Sequence, residues 1–155
     1  MTLPDSLTAK WAAFSELAPH DVHDLLKLRQ EIFILEQTSL YADIDGRDPE
    51  ALHYLIRDRR TGVLTGAIRL FTDVEDGQVA RIGRVVIARD LRGSGLGRIM
   101  MQAGVDKAHE LLPGCPIHVT AQAHLEDFYN SLGFRTVSEP YLEDDIPHID
   151  MIHPG

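Results

Sequence analysis

Apolar residues recur along this chain in blocks of two different periods. Trp11 to Leu17 mixes aromatic and apolar residues in a short run ended by Pro19, which predicts a strand. Asp21 stands where it can cap a helix, and Leu25, Leu28, Ile32 and Leu35 recur at helical spacing up to about Glu36. Tyr41 to Pro49, Y-A-D-I-D-G-R-D-P, reads as an acidic loop with a turn at Asp45-Gly46. Two strands follow, Leu52 to Asp58 and Val63 to Phe71, joined as a hairpin across Arg60, Thr61 and Gly62. After a turn at Asp76-Gly77, Val79 to Ala88 reads as a further strand, and the consecutive Val85, Val86 and Ile87 predict burial on both of its faces.

The second half alternates. Leu96, Met100 and Ala103 form one stripe and Met101, Val105, Ala108 and Leu112 another, so a largely buried helix is expected, stopped by Pro113-Gly114. Ile117 to Ala121 is a strand, and Leu125, Phe128, Tyr129 and Leu132 line one face of a short helix closed by Gly133. Strands first, then strand, helix, strand and helix: the order predicts an α/β fold with a mixed sheet. At 155 residues the chain suits one domain, residues 1–155.

Charge changes the picture more than composition does. The net charge of −9 argues against nucleic acid as a partner, which calls for a basic face. Yet Val79 to Glu110 holds six bases (Arg81, Arg84, Arg89, Arg92, Arg98, Lys107) against three acids, while Glu139 to Asp150 holds five acids and no Lys or Arg. One segment therefore suits an anionic ligand and the other a cationic one, unless both are solvated faces. Met1 to Lys10 lacks a basic region followed by an apolar run, no run of apolar residues is long enough to span a membrane, and Cys115 is a single cysteine; a cytoplasmic protein, monomer or homodimer, is expected. The histidines show no metal-ligand spacing and no CxxC occurs, so no metal is implied.

The candidate chemistry begins where the strand ending in Val85, Val86 and Ile87 runs into Arg92-Gly93-Ser94-Gly95-Leu96-Gly97-Arg98 and then into the buried helix. Glycines let the backbone turn tightly and approach a ligand, and the first N–H groups of a helix lack internal acceptors and sit at its positive end. A phosphate or pyrophosphate is the natural occupant, with Arg92 and Arg98 at its rim. The Walker pattern is absent, and the G-x-G-x-x-G of dinucleotide folds is not met because Met100 follows where a glycine is required.

Arg92, Gly95 and Gly97 match the acyl-CoA loop of GNAT acyltransferases, [RQ]-x-x-G-x-[GA], and the downstream A-Q-A-H-L-E-D-F-Y-N-S-L-G-F is similar to their second motif. W-A-A-F-S-E-L, L-R-Q-E-I-F-I-L-E-Q, Y-A-D-I-D-G-R-D and E-D-D-I-P-H-I-D-M resemble segments of the ElaA-like branch, so the likeness extends over most of the chain. The chain departs from that pattern at Gln122, where an Asn is usual, at Ser39-Leu40, where Cys-Pro is common, and at Asp145, where a glycine is common.

The resemblance implies a mostly antiparallel mixed sheet with splayed central strands and helices on both faces. It implies acetyl-CoA as acyl donor and an amine acceptor. Gly93 to Arg98 would hold the pyrophosphate, and Val85, Val86 and Ile87 would offer backbone groups to pantetheine and an N–H to the thioester oxygen, with Gln122 beside the pantetheine arm. Tyr129 would protonate the departing thiolate, although it also fits as a core aromatic of its helix. For the general base, Glu36, His124, Glu143 and His148 are candidates, as is a bound water; Glu36, Asp43 and Glu143 would also suit an ammonium group. A non-catalytic acyl-CoA-binding sensor or interaction module is the alternative to an enzyme, and CoA release that depends on added amine separates the two.

Overall fold

The computed structural model describes residues 2–155. Its strands are β1 (Leu7–Ala13), β2 (Leu52–Asp58), β3 (Leu64–Val74), β4 (Val79–Ile87), β5 (Ile117–Gln122), β6 (Arg135–Thr136), β7 (Tyr141–Glu143) and β8 (Ile146–His153). They follow the order β1-β2-β3-β4-β5-β8-β6, with β7 paired to β8. The pairing of β4 with β5 is parallel, at Ala80↔Ile117 and Arg81↔His118, whereas β1–β2, β5–β8, β6–β8 and β7–β8 are antiparallel. The helices are α1 (Pro19–Arg29), prolonged as a π-helix over Gln30–Glu36, α2 (Leu96–Leu111) and α3 (Glu126–Asn130). This is the expected α/β class with a mixed, mostly antiparallel sheet.

The chain divides into two compact units, residues 1–69 with 84–101, and residues 70–83 with 102–155. In the first, Leu25, Leu28 and Ile32 of the first helix pack on Ala12, Leu17, Leu55, Leu64, Ala67 and Val86. Asp21 is not the N-cap; α1 begins at Pro19, whose fixed φ suits the first turn, and Asp21 reaches back to accept from the Ala18 N–H at 3.1 Å. Asp21 also accepts from Lys10 at 3.0 Å and from Arg57 at 2.6 Å. The first strand starts earlier than its aromatic content suggests and ends at Ala13, where Phe14–Glu16 forms a 3₁₀ turn capped by Glu16 on the Ala13 N–H.

In the second unit the alternation of β5 and β8 is clean. Ile117, Val119, Ala121, Ile149 and Met151 are buried, and the residues between them face the other way. The turn between β7 and β8 consists of Asp144 and Asp145, both at positive φ (50° and 64°). That is the two-residue geometry that matches strand twist, and aspartate tolerates it where most side chains do not.

Candidate functional site

Burial on both faces does not hold for the end of β4: Val86 is buried, but Val85 and Ile87 are half-buried. The strand leaves the extended conformation just before them. Arg84 has φ 49°, a left-handed conformation that costs of order 1 kcal/mol for a non-glycine residue and must be held from outside. Its guanidinium is held by Asp43, Nε to Oδ1 at 2.9 Å, and lies 5.6 Å from the centroid of the Tyr41 ring.

Asp43 therefore belongs to a network of three arginines and three aspartates that ties down the acidic loop. Arg29, almost fully buried, donates from Nε to Asp43 Oδ2 (2.9 Å), from Nη2 to the Asp43 carbonyl (2.9 Å) and from Nη1 to Asp48 (2.8 Å). Arg69 donates to Asp48 at 3.0 Å and to Asp45 at 2.7 Å, and these contacts hold the Asp45 carboxyl far below the usual carboxylate range. Both oxygens of Asp43 face guanidinium groups, so it anchors the loop rather than presenting a charge to an amine. The sequence shows the aspartates; their counter-ions come from distant parts of the chain.

The glycine turn stands beyond a second such pairing. Leu91 and Arg92 close a 3₁₀ turn on Ala88 and Arg89, Ser94 N–H donates to the Leu91 carbonyl at 3.3 Å, and α2 starts at Leu96. Gly93 and Gly95 have φ of 78° and 84°, which an L side chain adopts only under strain. A Cβ placed on Gly93 would meet nothing within 4 Å, so the space over the turn is open. Gly66 of β3 seats the helix start closely: a Cβ there would lie 3.2 Å from Met100 Sδ and 3.7 Å from Leu96 Cδ2. Leu96 is buried, Gly97 and Arg98 are half-buried, and the amides of this first turn lie where a helix leaves its N–H groups without internal acceptors. An open cradle of amides at the positive end of a sixteen-residue helix fits a pyrophosphate.

Glu36, at the end of the π-helical segment, is bound to the rim of this turn. It accepts from Arg89 Nε at 2.7 Å and from Arg92 Nη2. The Arg92 hydrogen bond holds its carboxyl below the usual range, which makes it a weaker base than a free glutamate. Nothing local in the sequence signals this pairing of Glu36 with Arg89.

In the second unit Tyr129 is 5% exposed and meets Phe128 and Phe134 edge-on, at centroid distances of 5.2 and 5.8 Å. Burial pushes its phenol up to about 12, so at neutral pH it is a proton donor and not an anion. His148 of β8 lies across from Gln122 of β5 and from Tyr141 of β7, and its ring stacks on that of Tyr141 at 6.5 Å. His148 Nδ1 is 2.7 Å from the Ile146 carbonyl, which can only accept. The proton of the neutral ring therefore sits on Nδ1 and the lone pair on Nε2, 3.8 Å from the Glu143 carboxylate. A base with an adjacent carboxylate can take up a proton and have the resulting charge stabilised. The strand that orients His148 was not among the elements expected from the sequence, although I-P-H-I-D-M-I-H alternates; Thr120 and Tyr141, which share the face of His148 and Asp150, come from β5 and β7.

Comparison with known proteins bears on both units. The family model for the acetyltransferase (GNAT) domain matches residues 22–153. Protein ElaA of Escherichia coli is 37% identical over 137 residues, 88% of this chain and 90% of that one. The crystal structure of Escherichia coli ElaA superposes with a TM-score of 0.88 over 95% of this chain and 99% of that one, at 34% identity. An acyl-CoA N-acyltransferase from Pseudomonas aeruginosa superposes with a TM-score of 0.87 at 37% identity, over 96% and 99% of the two chains. The fold is thus shared across nearly the whole length, and the chain belongs to the GNAT acetyltransferase family, in its ElaA-like branch.

Proposed function

We propose that this GNAT enzyme transfers an acetyl group from acetyl-CoA to a primary amine by direct attack in a ternary complex. The observation that carries the reading is the turn itself, with left-handed Gly93 and Gly95 opening the buried helix α2 beside Arg92. The amides from Gly93 to Arg98 bind the pyrophosphate, the backbone of Val85, Val86 and Ile87 takes the pantetheine and the thioester oxygen, and Gln122 meets the pantetheine arm.

The amine must lose a proton to react, since an alkylamine of pKa near 10.4 is almost wholly protonated at pH 7. His148 Nε2 takes that proton, and Glu143 stabilises the imidazolium. The amine nitrogen then attacks the thioester carbon to give a tetrahedral intermediate; as it collapses to the amide the C–S bond breaks, Tyr129 gives its proton to the departing thiolate, the second N–H proton of the nitrogen restores the phenol, and His148 releases its proton to solvent. Glu36 holds the arginines of the turn rather than serving as base. Most of the acceleration comes from holding the two reactants together, worth up to about 7–11 kcal/mol in favourable cases.

Thermal unfolding with acetyl-CoA, against ATP and NAD, tests the donor site. At about 100 times the dissociation constant a ligand stabilises by about 2.7 kcal/mol, which at this size raises Tm by about 5–10 °C. A shift with acetyl-CoA alone supports the reading, and no shift in a folded sample refutes it. Amine-dependent CoA release then distinguishes an enzyme from a sensor.

A further inference from the structure

Alternation sends Val119, Ala121, Ile149 and Met151 into the core and leaves Thr120, Gln122, His148 and Asp150 on the opposite face of β5 and β8. There Thr120 lies across from Asp150 and Gln122 across from His148, and β7 extends the face with Tyr141. Asp150 is gripped at one oxygen only: the Tyr141 hydroxyl donates to Oδ1 at 2.6 Å, and Thr120 Oγ1 lies 3.5 Å from the same atom. Its main chain is held on both sides, the N–H donating to Ser138 Oγ at 2.9 Å and the carbonyl accepting from the Val137 N–H at 2.9 Å. Oδ2 has no partner among the described residues.

The contrast with Asp43 is instructive. Asp43 is held by guanidinium groups, which cancel its charge, whereas Asp150 is held by neutral hydroxyls, which leave its charge intact. No lysine or arginine follows Arg135, while Glu139, Glu143, Asp144, Asp145 and Asp150 do. A fixed carboxylate with an open oxygen, no internal cation, and an aromatic ring beside it is a recognition point for a cation. On the same strand, two residues away, stands His148. Residues so related are about 6.6–6.8 Å apart, the reach of an extended chain of about four or five carbons between two nitrogens.

We propose that Asp150, positioned by Tyr141, binds a second cationic group of the acceptor while His148 faces the amine that is acylated, so that the preferred acceptors are aliphatic diamines and not monoamines. The inference rests on the role given to His148 under the proposed function. Its probes are 1,5-diaminopentane and n-pentylamine, which share a carbon chain and differ by one ammonium group. Calorimetric titration of each into the protein should show the diamine bound about tenfold more tightly, the scale of one hydrogen bond to a charged group.

Asp150→Asn should bring the two affinities together by weakening the diamine and leaving the monoamine unchanged. Tyr141→Phe keeps the carboxylate but releases its anchor, and should shrink the ratio severalfold; it also serves if Asp150→Asn fails to fold. Equal affinities in the unaltered protein, no diamine binding, or a ratio that survives both substitutions in folded protein would overturn the proposal. Should the diamine bind in an Asp150-dependent way while neither amine releases CoA from acetyl-CoA, the recognition point stands and the acyl-transfer reading falls.

Discussion

Replacing Tyr129 by Phe separates chemistry from packing. The ring is buried between Phe128 and Phe134, and phenylalanine keeps both edge contacts. The hydroxyl has no hydrogen-bond partner among the described residues, so its removal leaves no orphaned group. Stability should change by no more than about 0.5 kcal/mol, a shift in Tm of about 2 °C or less. Turnover should fall by about 10²- to 10⁴-fold, because a thiolate then leaves without a proton. In barrier terms that is about 2.7–5.5 kcal/mol.

The assay is CoA release followed with a thiol reagent at saturating acetyl-CoA and amine. An acetyl thioester with a more acidic thiol needs less help in leaving, and the substitution should cost it less. Tyr129→Ala, by contrast, removes the ring and should cost about 3–5 kcal/mol of stability. With the phenol pushed up to about 12, its acid form persists throughout the accessible range, so Tyr129 adds no alkaline loss of activity below that value. Unchanged turnover in a folded Tyr129→Phe protein would show that the tyrosine is a core aromatic and nothing more.

Glu36→Gln should tighten CoA binding severalfold by calorimetry, since a carboxylate that holds Arg89 and Arg92 competes with a phosphate for them; unchanged or weaker binding would refute that competition. Arg29→Met leaves Asp43 and Asp48 with fewer counter-ions in a buried place and should cost about 3–5 kcal/mol in urea unfolding, part of which Asp43→Asn and Asp48→Asn together should restore. Asp21, buried beside Lys10 and Arg57, titrates in the folded protein at about 2 instead of 3.8. A depressed carboxylate stabilises the fold above its ordinary pKa and ceases to do so as pH falls through the folded value. About 2 kcal/mol should thus be lost between pH 4 and 2. Asp21→Asn should flatten that part of the acid profile, and an unchanged profile would refute the assignment.

The glycine turn, the helix behind it and the tyrosine helix were legible in the sequence because each is local: left-handed glycines, a helix start and an apolar stripe declare themselves within a few residues. The final hairpin was half legible. Its alternation stood in I-P-H-I-D-M-I-H, but Asp144-Asp145 lacks the glycine that usually marks such a turn, and only the backbone shows both aspartates in the left-handed region. Charges were visible as a list, and their meaning was not. Asp43, grouped by sequence with a ligand site, is neutralised by Arg29, fourteen residues before it, and by Arg84, forty-one residues after it. Glu36 meets Arg92 across fifty-six residues, while Asp150 is met by the hydroxyls of Tyr141 and Thr120. Backbone conformation follows from neighbours in sequence, so the sequence by itself determined the fold class and the glycine turn. Whether a carboxylate is spent or available depends on which distant groups the fold brings within hydrogen-bond reach, and that only the tertiary structure decided.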